Sequence, residues 1–330
     1  MIPSLVHLRE HAFVSGNLEG SLDVENAPDD VLAVILGNTH EPLDIQRVGE
    51  MLAAMPSHKE QGDEYLTRAT SLMEAAGALG LKDEAEGGQL GTVVRINVGA
   101  AFESFLLLLR GQCFPKLEEL DLTSAIRGGA RWRMESFVDA ILQGWLASCT
   151  ELNLGQNIMN DADMQLFSQA VESGKLPNLK KLFFRYNRIG DAGMTALAGA
   201  IRTGGSNLVT LDLYGNSIGD DGIKAFSTEI AHGMRLLDVL DLGANNFGDA
   251  GMIAFADAVR SGALPLCTSI GLGSNNISDR GMEAFRNAIE RGSLPKLLSL
   301  SLQGNPGNDG PAYTAFFRRP PLPSQTPPRA

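Results

Sequence analysis

LDLYGNSIGDDG, residues 211–222, carries three signals in twelve positions. Leu211 and Leu213 alternate with polar neighbours, the period of a short strand with one face buried. Asn216 follows at a fixed offset, and then Asp220 and Asp221 stand directly before Gly222. Aspartate ahead of a helical pattern is a helix-start signal, because a side-chain oxygen there can accept from unpaired amides.

The same pattern recurs outward in both directions. Asparagine occupies positions 157, 187, 216, 245, 275 and 305, and an apolar residue stands eight, five and three places before each one. Leu208, Leu211 and Leu213 precede Asn216, and Leu297, Leu300 and Leu302 precede Asn305; Cys149 and Cys267 fill the first slot in two copies, where a small thiol suits a core. Two degenerate copies lie upstream, Leu117, Leu120 and Leu122 with Ala125 at the asparagine position, and Val93, Ile96 and Val98 with Ala101.

Within each copy the period changes from two to 3.6, as in Met194, Leu197, Ala198 and Ile201, so one repeat reads as strand, loop, helix, loop. GKLP, GALP and GSLP, ending at Pro177, Pro265 and Pro295, close three helices and turn the chain to the next strand. Stacked strands are separated by about 4.8 Å while the helices behind them need about 10 Å, so such an array bends with its strands inside. The expectation is an α/β horseshoe solenoid of eight repeats over residues 91–317, with a concave parallel sheet and convex helices.

These residues resemble leucine-rich repeats of the long, ribonuclease-inhibitor-like type, also seen in the sensing arms of nucleotide-binding immune receptors and in GTPase-activating proteins. The resemblance implies a protein-binding scaffold. It spans about two thirds of the chain and is specific for fold far more than for role, since exposed strand residues vary with the partner.

Periodic residues are assigned to architecture. Asn157, Asn187, Asn216, Asn245, Asn275 and Asn305 are expected to form an inward ladder pairing with loop backbone that would otherwise lose about 1–3 kcal/mol per orphaned group. Asp191, Asp220, Asp249, Asp279 and Asp309 are expected to cap helices. Gly193, Gly222, Gly251, Gly281 and Gly310 are expected to admit the next chain segment closely. An active site needs singular residues, which argues against catalysis by any of these sets.

Residues the repeat does not dictate are candidates for contact. On strand positions expected to face the concave side, Phe183, Arg185, Tyr186 and Tyr214 form a candidate hot spot, ringed with negative charge by Glu119, Asp121, Glu151, Asp212 and Asp241, with Asn153 and Lys181 as further contact candidates. The alternative is a plain solvated sheet face. The longer second repeat adds IRGGARWRMES, residues 126–136, in which Trp132 lies between two arginines; it reads either as an anchor for an acidic partner or as a cover over a helix end.

The chain's formal charge of −12 is concentrated in residues 1–90, which hold 16 acids against 5 bases; residues 91–330 hold 23 and 22. That sign disfavours nucleic acid, whose affinity comes from clustered cations. Three distant cysteines without metal-ligand spacing suit a reducing compartment, and no apolar run is long enough to span a bilayer. A cytoplasmic monomer without cofactor, catalytic residues or metal is the expectation, with another protein as partner.

Residues 1–90 read as an acidic, mainly helical cap or small domain, from VLAVIL (31–36), IQRVGEMLAAM (45–55) and EYLTRATSLMEAAGALGL (64–81); residues 318–330 read as a proline-rich flexible tail. HLREH, residues 7–11, matches the HxxEH zinc-peptidase pattern through His7, Glu10 and His11, with Glu84 or Glu86 as loose third ligands. A zinc hydrolase is therefore a weak alternative, and a GTPase activator, presenting a charged rim to its partner, the stronger one.

Overall fold

Leu120, Leu152, Leu182, Leu211, Leu240, Ile270 and Leu300 stand side by side on consecutive parallel strands, with Ile96 paired to Leu120 at the start of the row. In the computed structural model, which describes residues 41–53, 59–126, 131–204 and 207–318, they centre an eight-stranded sheet whose order follows the chain. The strands are β1 (Arg95–Asn97), β2 (Glu119–Asp121), β3 (Glu151–Asn153), β4 (Lys181–Phe183), β5 (Thr210–Asp212), β6 (Val239–Asp241), β7 (Ser269–Gly271) and β8 (Ser299–Ser301). Each has three residues, and the middle one points inward because side chains alternate across a sheet. This is the α/β leucine-rich-repeat solenoid.

Between strands run α5 (Arg131–Leu142), α6 (Asp161–Glu172), α7 (Asp191–Gly204), α8 (Asp220–Gly233), α9 (Asp249–Arg260) and α10 (Asp279–Glu290), and α11 (Gly310–Phe317) follows β8. Their apolar stripes supply a second inward column in which Phe167, Leu197, Phe226, Phe255 and Phe285 are fully buried. Phe167 meets Phe184 edge-to-face at 5.4 Å. At about 1.5–3 kcal/mol per buried large side chain, this column and the leucine row carry the array.

Helices end where their glycines allow. Gly292, with φ +73°, takes the left-handed turn after α10 that a residue with a Cβ would adopt only under strain.

The chain divides into two units. One comprises residues 1–93 with Glu103–Phe114, the other Val94–Phe102 with Pro115–Ala330. Among the described residues, the first unit holds α1 (Pro42–Ala53), α2 (Lys59–Ala78), α3 (Lys82–Glu86) and most of α4 (Phe102–Arg110). Ile45, Leu72 and Ala76 are buried there, and the Glu41 carboxylate accepts from the N–H groups of Leu90 (3.1 Å) and Gly91. The expected boundary at residue 90 differs from this division, since residues 103–114 group with the first unit. Leu106, Leu108 and Leu109 make a helix side apolar enough to enter that unit's core. VLAVIL, HLREH and residues 319–330 lie outside the described residues.

Candidate functional site

The asparagines form a continuous ladder. Asn216 Nδ2 donates to the carbonyls of Phe184 (3.0 Å) and Leu213 (2.9 Å), while its Oδ1 accepts from the Ile189 N–H (3.1 Å). One amide thus ties the end of its own strand to the preceding repeat. Asn157, Asn187, Asn245 and Asn305 repeat the arrangement. Asn275 repeats the donor half, to Leu242 and Leu272, but its buried Oδ1 has no hydrogen-bond partner among the described residues.

The aspartates depart from expectation. Each was expected to cap the helix it precedes, yet Asp191, Asp220, Asp249 and Asp279 are the first residues of their helices and reach across to the next repeat. Asp191 Oδ1 accepts from the N–H groups of Gly219 (2.7 Å) and Gly222 (2.9 Å), at the start of α8. Asp220 serves Gly248 and Gly251, Asp249 serves Ser278 and Gly281, and Asp279 serves Asn308. A side chain at the first helical position points sideways and cannot fold back onto its own amides as an N-cap residue does. The neighbouring helix start, one repeat spacing away, is within reach.

Asp309, expected to cap in the same way, makes no side-chain capping bond. Asp161, four residues past Asn157, heads the series and caps the start of α7 through Gly190 (2.6 Å) and Gly193 (3.0 Å); the constant offset was the signal that identifies it. The glycines also reverse direction. A Cβ on Gly222 would lie 2.7 Å from Asp191 Oδ1, so the segment admitted is the preceding repeat's carboxylate, not the following chain.

Burial opposes the charged form of Asp249, but the Ser278 hydroxyl and the N–H groups of Ser278 and Gly281 outweigh it and hold this carboxyl below the usual carboxylate range. Burial pushes all three thiols, Cys113, Cys149 and Cys267, up to about 12. They are neutral core groups at physiological pH.

On the sheet face turned away from the helices, a third periodic set emerges that the sequence reading placed among the contact candidates. Asp121 accepts from the Thr123 N–H (2.8 Å), Asn153 from Gly155 (3.0 Å), Asp212 from Tyr214 (3.1 Å) and Asp241 from Gly243 (2.9 Å). Each is an Asx turn closing its strand. Their recurrence four places before the ladder position was legible and marks them as partly structural.

Asp212, expected in an exposed acidic ring, is buried, with its side chain 4% exposed beneath the Arg185 guanidinium. Burial raises its pKa, and the opposing pull of the Tyr214 N–H and Arg185 does not cancel that rise. Asp241 also approaches Arg185, at 3.7 Å. Arg95 pairs with Glu119 at 2.7 Å and Lys181 with Glu151 at 2.9 Å, so most of the face's charge is neutralised within it.

The departures from periodicity gather on β4, β5 and the turns behind them. Phe183 replaces the Asx residue of β4 and is half-buried. Tyr186 is 56% exposed in the left-handed region at φ +56°. Its ring meets Tyr214 edge-to-face at 5.4 Å. A Cβ on Gly215 would lie 2.8 Å from the Tyr186 ring, and one on Gly243 would lie 3.0 Å from the Tyr214 ring, so each tyrosine lies over a glycine of the next repeat. The result is a two-ring platform beside one guanidinium.

Trp132 stands apart on α5, 47% exposed. The Arg133 guanidinium lies over its ring at 5.5 Å and over Phe102 at 5.8 Å, and donates to the Ala125 carbonyl at 3.3 Å. Trp132 is thus the second residue of α5, with the Arg133 guanidinium against its ring.

Among the described residues no group of three His, Cys, Asp or Glu could hold a metal ion, and no helix is long and apolar enough to cross a membrane. His7, Glu10 and His11 fall outside the described residues; Glu84 and Glu86 lie on α3.

A family profile described as Leucine Rich repeat matches residues 175–198, 206–227, 234–256 and 268–285. No curated protein matches the chain. Among solved structures, a TLR13–ssRNA13 complex is 16% identical with a TM-score of 0.34, covering 63% of this chain and 33% of that one. An internalin (InlF) of Listeria monocytogenes is 13% identical with a TM-score of 0.26, covering 74% and 92%. The chain therefore spans about a third of the first of these two structures.

Proposed function

We propose that this protein is a non-enzymatic, regulatory interaction module that binds one partner protein through the concave sheet face and the adjoining strand-to-helix rim. The observation that carries the reading is the break in periodicity at Phe183, Arg185, Tyr186 and Tyr214. Repeated residues are spent on the backbone, whereas these four are singular, aromatic or cationic, and gathered on adjacent strands. Rigid aromatics with an arginine are the residue types that dominate binding energy at interfaces. Arg185 is preorganised by Asp212 and Asp241, which lowers the ordering cost of contact.

Glu119, Asp121, Glu151, Asn153, Lys181, Asp212 and Asp241 frame this centre, and Trp132 offers a second anchor on the rim. The acidic balance of the whole chain favours a protein partner over nucleic acid. The repeat length and helix-bearing units fit the ribonuclease-inhibitor-like subtype, and the neutral buried thiols fit a monomer working in the cytoplasm.

The test is crosslinking and affinity capture from the native cell, comparing the wild-type chain with Tyr186→Ala/Tyr214→Ala and with Lys224→Ala on α8 as a control. A specific partner should be lost from the double tyrosine variant alone, with unchanged melting. An identical captured set for all three proteins would overturn the reading.

A further inference from the structure

The helix-capping aspartate series begins at Asp161 and has no member in the repeat before it. In repeats three to seven an aspartate stands four residues after the ladder position and opens the helix, whereas after Ala125 that place in the sequence is held by Gly129. Among the described residues no carboxylate from that repeat reaches the start of α6. This helix caps itself instead: Asn160 Oδ1 accepts from the N–H groups of Ala162 (2.9 Å) and Asp163 (3.2 Å), and Asp163 accepts from the Asn160 N–H (3.0 Å). A cavity of about 350 Å³ opens between α5 and the start of α6.

Its floor is apolar and buried, formed by Ile126, Met134 and Met159. Asn157 closes it from below with both amide atoms already engaged on backbone. Two methionines make a floor that adapts to the shape of what enters.

Arg131, Asp163 and Arg188 line the mouth. The Asp163 carboxylate is occupied by the capping box, and Arg131 is paired with Glu135 at 2.8 Å. Arg188 is exposed and makes no ion pair among the described residues. Ile158, also on the wall, is 40% exposed and sits at φ +61°. The left-handed region is a genuine outlier for a β-branched residue, and strain of this kind concentrates at ligand sites.

We propose that this cavity binds a small amphipathic carboxylate, its apolar body on the Ile126, Met134 and Met159 floor and its carboxylate on Arg188. The volume lies at the lower end of small-molecule sites. A planar guanidinium without a partner matches a carboxylate through two parallel hydrogen bonds. One uncommitted cation beside the Asp163 carboxylate selects a monoanion over a phosphate dianion, which would meet repulsion. The inference is independent of the concave-face reading.

The experiment is calorimetric titration of the full chain with 4-phenylbutyrate and with its neutral counterpart 4-phenylbutanol, repeated on Arg188→Ala, on Ala162→Phe at the mouth, and on Arg235→Ala as a distant control. The acid should bind saturably at one site, the alcohol and the Arg188→Ala variant should each weaken binding about tenfold, and Ala162→Phe should abolish it while melting stays unchanged. Should Ala162→Phe fail to fold, chemical-shift changes in the methyl groups of Met134 and Met159 on adding the acid to the wild-type chain locate the site instead. Equal binding of acid and alcohol, undiminished binding to Arg188→Ala, or no saturation up to the solubility limit would overturn the proposal.

Discussion

Repeats four to seven and the second repeat are built from the same strand pattern, yet they treat their polar side chains differently. Around β4 to β7 an asparagine and an aspartate from each repeat bind the backbone of a neighbour. Around β2 and α5 the ladder residue is Ala125, Gly129 stands at the offset of the capping aspartates, and the next helix caps itself. Each missing periodic residue leaves either a self-sufficient helix or an opening. The comparison shows that the polar side chains of a solenoid are its mortar, and that a helix left without its neighbour's carboxylate supplies its own cap.

The strongest way to break this comparison is Asn216→Leu, which leaves the buried Ile189 N–H without its acceptor and takes from the carbonyls of Phe184 and Leu213 one of the two asparagine donors that each holds. A loss of about 2–4 kcal/mol is expected by chemical denaturation. Ala125→Asn in the second repeat should change stability by less than about 1 kcal/mol, because the surrounding backbone already does without that amide. Equal effects at the two positions would erase the distinction between the regions.

Arg185→Ala sharpens it on the open face. Removing the guanidinium leaves the Asp212 carboxylate buried without its charge partner, and about 1–3 kcal/mol should be lost at neutral pH. The sign with pH follows from the raised pKa of Asp212 in the folded protein: the folded state holds the proton more tightly than the unfolded chain, so this group disfavours folding above its folded pKa and not below the unfolded value near 3.8. The variant's deficit should therefore shrink as the solution is acidified through that window. Asp249 runs the other way, since its lowered pKa gives stability above 3.8 that disappears on further acidification. Urea melts at several pH values separate the two, and a deficit in Arg185→Ala that is constant with pH would contradict the assignment.

The smallest effects compare capping across repeats with capping within one. Asp220→Ala should cost about 1–2 kcal/mol by freeing the N–H groups of Gly248 and Gly251, and Asn160→Ala about 1 kcal/mol by opening the capping box of α6. Hydrogen exchange should place the first loss at α9 and the second at α6. Asp309→Ala, with no capping bond to lose, should stay within about 0.5 kcal/mol.

Much of this architecture was legible because repetition is itself a signal. The register of β2 to β8 could be written from the leucine spacing, and the asparagines announced their place by recurring with it. The aspartates were legible as helix-start residues but not as to which helix they serve, since sequence offset does not say whether a carboxylate turns back or reaches across. Asp121, Asn153, Asp212 and Asp241 look like contact residues by charge and strand position, yet they recur at a fixed offset and close their strands as Asx turns.

The sequence alone therefore determined the repeat, its strand-to-helix order and the identity of the inward residues, because a period imposes the same burial on every copy. The tertiary structure decided which repeat each polar side chain serves, that Asp212 lies beneath Arg185, that two tyrosines rest on their neighbours' glycines, and that a cavity opens beside α6. Those outcomes depend on distances between units that are far apart along the chain and only stacking brings together.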